Sequence, residues 1–112
     1  MIKNFFDLNI ISNNLQVEQK NAQDIAIFNG YPVCFISLQG QSEWRITKEE
    51  KFIYVFQGII AIDHIDISSN NDNTEMVHVG QGIILKANTK YRIRCPQLSH
   101  ILIMGQEDKM AT

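Results

Sequence analysis

Short apolar runs separated by polar clusters and glycines recur along the whole chain. The densest is Lys51-Phe52-Ile53-Tyr54-Val55-Phe56-Gln57-Gly58, a β-branched and aromatic run closed by a turn glycine, which predicts a strand buried on both faces. Alternation puts Lys51, Ile53 and Val55 on one face and Phe52, Tyr54 and Phe56 on the other. Upstream, Asp24 to Phe28 and Val33 to Leu38 flank Asn29-Gly30-Tyr31-Pro32, the composition of a hairpin turn. A turn at Gly40 to Glu43 and a short strand at Trp44 to Ile46 follow. Beyond Gly58 the apolar run continues through Ile59 to Ile62 and on to Ile65 and Ile67. Ser68 to Glu75 carries no apolar residue and reads as an exposed loop.

The second half repeats the pattern of short strands and turns. Met76 to Val79, Ile83 to Leu85, Tyr91 to Cys95 and Leu98 to Met104 are strands, with turns at Gly80 to Gly82 and Ala87 to Lys90. Within Tyr91 to Cys95, Arg92 and Arg94 share the face that meets water or acids. Leu15, Val17 and Gln19 keep a weak two-residue period that predicts a marginal strand, and Met1 to Ser12 is expected to be an arm or first edge strand. Gly105 to Thr112 is polar and expected to fray. About ten short strands with no helical period predict an all-β sandwich or barrel.

Composition narrows the function classes. At 112 residues one domain is expected, and dispersed charges with a net charge of −2 offer no basic stripe for nucleic acid. No apolar segment approaches the roughly 20 residues of a membrane span, and the first residues lack the apolar core of a secretory signal, so a cytoplasmic protein is expected. Cys34 and Cys95 stand far apart inside apolar runs and are expected as reduced core thiols. Gly80-Gln81-Gly82 lacks the third glycine of a dinucleotide fingerprint, and no nucleophile elbow is present.

The order and spacing from Leu38 to about Met104 resemble the cupin family of small jelly-roll β-barrels. The first cupin motif, Trp-His-x-His followed after three or four residues by Glu and by an apolar strand ending in Gly, is matched by Trp44, Arg45, Thr47, Lys51 and Gly58. The second motif is matched in spacing by Gly80, Lys86, Asn88, Tyr91 and Cys95. In typical cupins three histidines and a glutamate of these motifs hold a divalent metal. The corresponding residues here are Arg45, Thr47, Lys51 and Tyr91, two cations and two hydroxyls. None is an ordinary ligand for zinc, iron or manganese, so no metal and no other cofactor is expected. His64, His78 and His100 are separated in sequence and read as surface or core side chains.

Two readings of the altered site stand side by side. In one, Tyr91 fills the barrel, Thr47 bonds locally, and Arg45 and Lys51 reach the rim or pair with Glu43, Glu49 or Glu50. In the other, Arg45 and Lys51 point inward and require a counter-anion, which a small anionic metabolite would provide with Thr47 and Tyr91 donating hydroxyl bonds. Arg45, Thr47, Lys51 and Tyr91 are therefore the candidate ligand-binding residues. The resemblance also admits a metal-independent isomerase or epimerase acting on a sugar-like substrate, with Tyr91 as acid and no base evident beyond Lys51. A third possibility is an interaction module. The Phe52, Tyr54 and Phe56 row suits a homodimer interface, which cupins also resemble one another in using, unless the protein's own second sheet or N-terminal arm covers it.

Overall fold

A computed structural model of the chain describes residues 6–18 and 22–110. Its elements are α1 (Leu8–Glu18), β1 (Ala22–Phe28), β2 (Tyr31–Gln41), β3 (Arg45–Ile46), β4 (Lys51–Gln57), β5 (Ile59–Asp66), β6 (Asn71–His78), β7 (Gly82–Leu85), β8 (Thr89–Met104) and β9 (Lys109–Met110). All strand pairs are antiparallel, and β8 belongs to both layers of the curled sheet. Its first half runs between β3 and β5, with Tyr91 opposite both Arg45 and His64. Its second half runs between β2 and β4, with Leu102 opposite Phe35 and Tyr54. One layer is therefore β1-β2-β8-β4-β7 and the other β9-β3-β8-β5-β6. The two strands predicted at Tyr91 to Cys95 and Leu98 to Met104 are one bent strand. Its changeover falls at the exposed Pro96, Gln97 and Leu98, where proline has no N–H to give a ladder.

The inner faces of the two layers close on one core. Ile53 and Val55 from β4, Ile60 and Ile62 from β5, Val77, Leu85, Ile93, Cys95 and Ile101 are buried together with Tyr91. The predicted parity of β4 holds: Lys51, Ile53 and Val55 are buried on the inner face, and Phe52, Tyr54 and Phe56 are half-buried on the outer one. A second cluster covers part of that outer face. Ile11 of α1 and Ile25 pack with Val33 and Phe35, and Leu8, Phe56, Leu102 and Met104 lie against them. The Phe35 and Phe56 rings meet edge to face at 5.8 Å. His100 is buried on the same side, stacked on Phe35, and its Nδ1 lies 2.7 Å from Ser37 Oγ.

Three sequence expectations change. First, Leu8 to Glu18 is helical where the pattern predicts an arm or edge strand and then a marginal strand, and residues 1–5 and 19–21, where those expectations begin and end, lie outside the described residues. Asp7 caps the helix by accepting the N–H groups of Asn9 and Ile10, and Leu8 with Ile11 forms the i, i+3 contact that anchors it to the sheet. Second, most of the predicted loop Ser68 to Glu75 is strand β6, paired residue for residue with β5 after a turn at Ile67 to Asn70. Its side chains are exposed except Val77, so the ladder and not an apolar face holds it, and period-two hydrophobicity has nothing to detect. Third, the C-terminal segment does not simply fray: Lys109 and Met110 pair with Ile46 and Arg45.

The outer face of β8 finds the acid that its arginines imply. Asp63 on β5 accepts hydrogen bonds from Arg92 Nε at 2.8 Å, from Arg94 Nε and Nη2 at 2.8 and 2.9 Å, and from Thr74 Oγ1 at 2.7 Å. The Arg94 bond above all, with those of Arg92 and Thr74, holds the Asp63 carboxyl well below the usual carboxylate range against the opposing effect of burial. The other side of the Arg92 guanidinium lies 4.7 Å from the Trp44 ring centre, and Lys90 Nζ lies 5.4 Å from it, so Trp44 is a packing residue beside the barrel mouth.

Gly58 links β4 to β5 at φ 92°, and a Cβ there would collide with Ser99 Oγ and lie 2.7 Å from Ser99 Cβ. Gly58→Ala combines left-handed strain with overpacking and is expected to lower unfolding stability by about 3 kcal/mol, read as a reduced urea midpoint at unchanged slope.

Candidate functional site

The barrel opens at the end where β4 begins. A cleft of about 440 Å³ lies there, lined by Asp24 and Cys34 from the β1–β2 hairpin, Ile36, Leu38 and Ser42, Arg45, Lys51, Tyr91, Ile93, Ile103 and the segment Gly105 to Asp108. Strand alternation dictates Lys51: sharing a face with Ile53 and Val55, its side chain must enter the interior, where it is 8% exposed. A buried ammonium without a partner would cost several kcal/mol. The partner is Asp108, whose carboxylate is 4% exposed and lies 2.7 Å from Lys51 Nζ.

Tyr91 completes the cluster. Its hydroxyl donates to the other oxygen of the Asp108 carboxylate. Burial first, then the hydrogen bond and charge of Asp108, push the phenol far above its ordinary range, with Arg45 opposing weakly. Two donors on separate strands of the barrel interior thus converge on one carboxylate. The Lys51 contact is short but poorly aligned for a hydrogen bond, so its attraction is chiefly charge against charge.

The four sequence-derived candidates do not all gather here. Lys51 and Tyr91 are inside, and Arg45 lines the cleft mouth with an exposed side chain. Thr47 is not part of the lining. Its buried hydroxyl donates to the Lys86 carbonyl at 2.7 Å and accepts the Thr89 N–H at 2.9 Å, tying the strand connections together. The expected pairing of Lys51 with Glu43, Glu49 or Glu50 is not seen; Glu49 accepts from Tyr31 instead. Nor is the cleft basic overall. Arg45 and Lys51 face three carboxylates, Asp24, Glu107 and Asp108.

Sequence reasoning missed Asp108, Asp24 and Cys34 as site residues. Only the demand of an inward Lys51 for an acid could have pointed to Asp108, and it does not say which acid answers. Both cysteines are free, but Cys34 borders the cleft instead of the core, and burial followed by the nearby Asp24 pushes its thiol up to about 11. No histidine is among the described residues lining this cleft. His64 borders a separate opening of about 610 Å³ beside β6 and β7, with Nε2 3.7 Å from Glu75, and His78 is exposed.

Cupins hold a divalent cation at the four matched places, and the donor set present here does not fit one. It contains an ammonium already engaged by Asp108, a guanidinium, a phenol pushed toward its protonated form, and a hydroxyl spent on backbone groups. Among the described residues no three His, Cys, Asp or Glu side chains cluster as metal ligands.

Lys51→Met leaves the Asp108 carboxylate buried without its cation and is expected to cost about 3 kcal/mol, whereas Lys51→Met with Asp108→Leu should cost much less than the sum of the singles. A urea-denaturation cycle checks this coupling. Alkaline stability reads out Tyr91 separately. Because its folded-state pKa is raised, its contribution is full below about pH 10, the unfolded value, and is lost as pH rises toward the folded one. Tyr91→Phe is expected to lose less stability than wild type between pH 9.5 and 11, as measured by melting curves across that range.

No protein-family model matches the sequence, and no curated protein matches it. Solved structures do. A cupin-2 domain protein from Shewanella frigidimarina superposes with a TM-score of 0.74 at 13% identity, covering 91% of this chain and 94% of that one. A Neisseria meningitidis protein gives 0.70 at 15% identity, covering 92% and 99%. A hydroquinone 1,2-dioxygenase from Sphingomonas gives 0.61 at 16% identity over 72% of this chain and 60% of that one. At such identities the likeness speaks for the backbone and not for the chemistry. Taken with the two-layer sheet joined through β8, it shows that the chain has the jelly-roll fold of the cupins.

Proposed function

We propose that this barrel binds a small molecule bearing a carboxylate, without a metal, and that Lys51 and Tyr91 hold the acid group while Arg45 meets the rest of the molecule at the mouth. One observation carries the reading: Lys51 and Tyr91 already converge on a carboxylate, that of Asp108. An ammonium supplies charge and a buried protonated phenol supplies a directed donor, the combination that favours an anionic acceptor in a low-dielectric site. The cleft falls within the roughly 300–1,000 Å³ range of small-molecule sites, and Ile36, Leu38, Ile93 and Ile103 give it an apolar wall.

Binding without turnover is the better-supported form of this reading. A metal-independent isomerase would use Tyr91 as its acid, but no histidine base is among the described residues lining the cleft, and Lys51 is paired with a carboxylate. Acetate, propionate and phosphate titrated at constant ionic strength test the proposal. The carboxylates are expected to raise the melting temperature by about 5 °C or more at a hundredfold excess over Kd, with Lys51→Met losing the shift and Arg45→Ala reducing it for propionate more than for acetate. Absence of any shift with all three anions would leave the barrel as an interaction module acting through its outer face.

A further inference from the structure

The segment after β8 is held in an unusual way. Gly105 turns the chain at φ 151°, in a space where a Cβ would come within 3.2 Å of the Glu50 carbonyl and 3.3 Å of Lys51 Cα. Gln106 and Glu107 are exposed, Asp108 is half-buried with its side chain turned inward and only 4% exposed, and Lys109 and Met110 are exposed again. No side chain of this segment joins either hydrophobic cluster. Its attachments are the Gly105 N–H to the Pro32 carbonyl, the two-residue ladder of β9 on β3, and the Asp108 carboxylate on Lys51 and Tyr91. A two-residue ladder at a sheet edge is a weak tether. The strongest attachment is therefore the one that uses the groups assigned above to the ligand.

We propose that Gly105 to Met110 is a gate, with Asp108 occupying the carboxylate site until a ligand carboxylate displaces it and the segment swings out about Gly105. This rests on the carboxylate-binding reading of Lys51 and Tyr91. One ammonium and one phenol hydroxyl cannot serve two carboxylates in the same place, so occupancy is exclusive. The exchange also keeps Lys51 paired at both ends of the process. An empty cation site would carry the desolvation cost of a lone buried charge, whereas replacing one carboxylate by another conserves the charge balance and most of the bonding. The same competition lowers apparent affinity by the fraction of molecules whose gate is open. Once outside, Asp108 meets water, the ordinary setting of a carboxylate.

The test uses the full chain with sodium acetate as probe and sodium chloride as the control at equal ionic strength. Saturating acetate is expected to lower amide hydrogen-exchange protection in the β9 ladder, Lys109 and Met110, by about tenfold or more, while the β4 amides are unchanged. Asp108→Asn, which removes the competing charge, is expected to bind acetate about tenfold more tightly than wild type. Because that variant leaves Lys51 without its native partner, a second one, Lys109→Pro with Met110→Pro, removes both N–H groups of β9 and leaves Lys51, Tyr91 and Asp108 in place. It too is expected to bind acetate more tightly than wild type. Acetate bound by wild type with the segment's protection unchanged, or bound no more tightly by either variant, would overturn the gate and leave the carboxylate site standing. Folded wild type and variants that all fail to bind acetate would overturn both.

Discussion

A lysine whose neighbours two and four residues along are core side chains points inward with them, and this constraint shapes the functional end of the barrel. Lys51 is buried because Ile53 and Val55 are, and its charge then has to be answered within reach of the β4 terminus. Asp108 answers it. That requirement draws the C-terminal segment across the cleft, brings Lys109 and Met110 beside β3, and sets the Tyr91 hydroxyl against a carboxylate. The opening that in a metal-holding cupin would surround a cation instead encloses an ion pair of the chain's own making.

The arrangement separates two kinds of polar burial. Asp63 is surrounded by Arg92, Arg94 and Thr74 on the outer face, where four hydrogen bonds leave its carboxylate little further capacity. It acts as a clasp between β5 and β8. Among the described residues Asp108 has one hydrogen-bond donor, Tyr91, and one cation, Lys51, both belonging to the barrel interior, and it sits on a segment with no side chain in either hydrophobic cluster. The first is a fixed clasp, and the second is the contact that the proposed gate would exchange. Thr47, matched to a ligand-holding place by sequence spacing, belongs with the first kind because both of its bonds go to backbone groups.

How far each feature could be read in advance follows from the range of the interaction behind it. The parity of β4, the hairpin at Asn29-Gly30 and the run into β5 are local consequences of alternation and turn chemistry, and the structure carries them as expected. The Asn71 to Glu75 part of β6 escaped because its side chains are polar on both faces and its hydrogen bonds come from β5, whereas Met76 to His78 lie within the strand expected at Met76 to Val79. The helix α1 escaped because its cap, Asp7, and its anchor, the packing of Leu8 and Ile11 into the cluster around Phe35, are not visible as a period in so short a stretch. At the cleft, Lys51 and Tyr91 were legible from motif spacing. Asp108 was not, since charge complementarity fixes the sign of a partner and says nothing of its address.

The double membership of β8 has a bearing on how the molecule is made. Neither layer can be completed without it: β5 and β3 flank its first half, and β2 and β4 flank its second. During synthesis at about 5–20 residues per second, the earlier strands emerge with their central neighbour still missing, their apolar faces and ladder edges uncovered. Closure is therefore a late, long-range event dominated by contacts between distant parts of the chain, the regime of slow folding in which the open edges stay exposed longest.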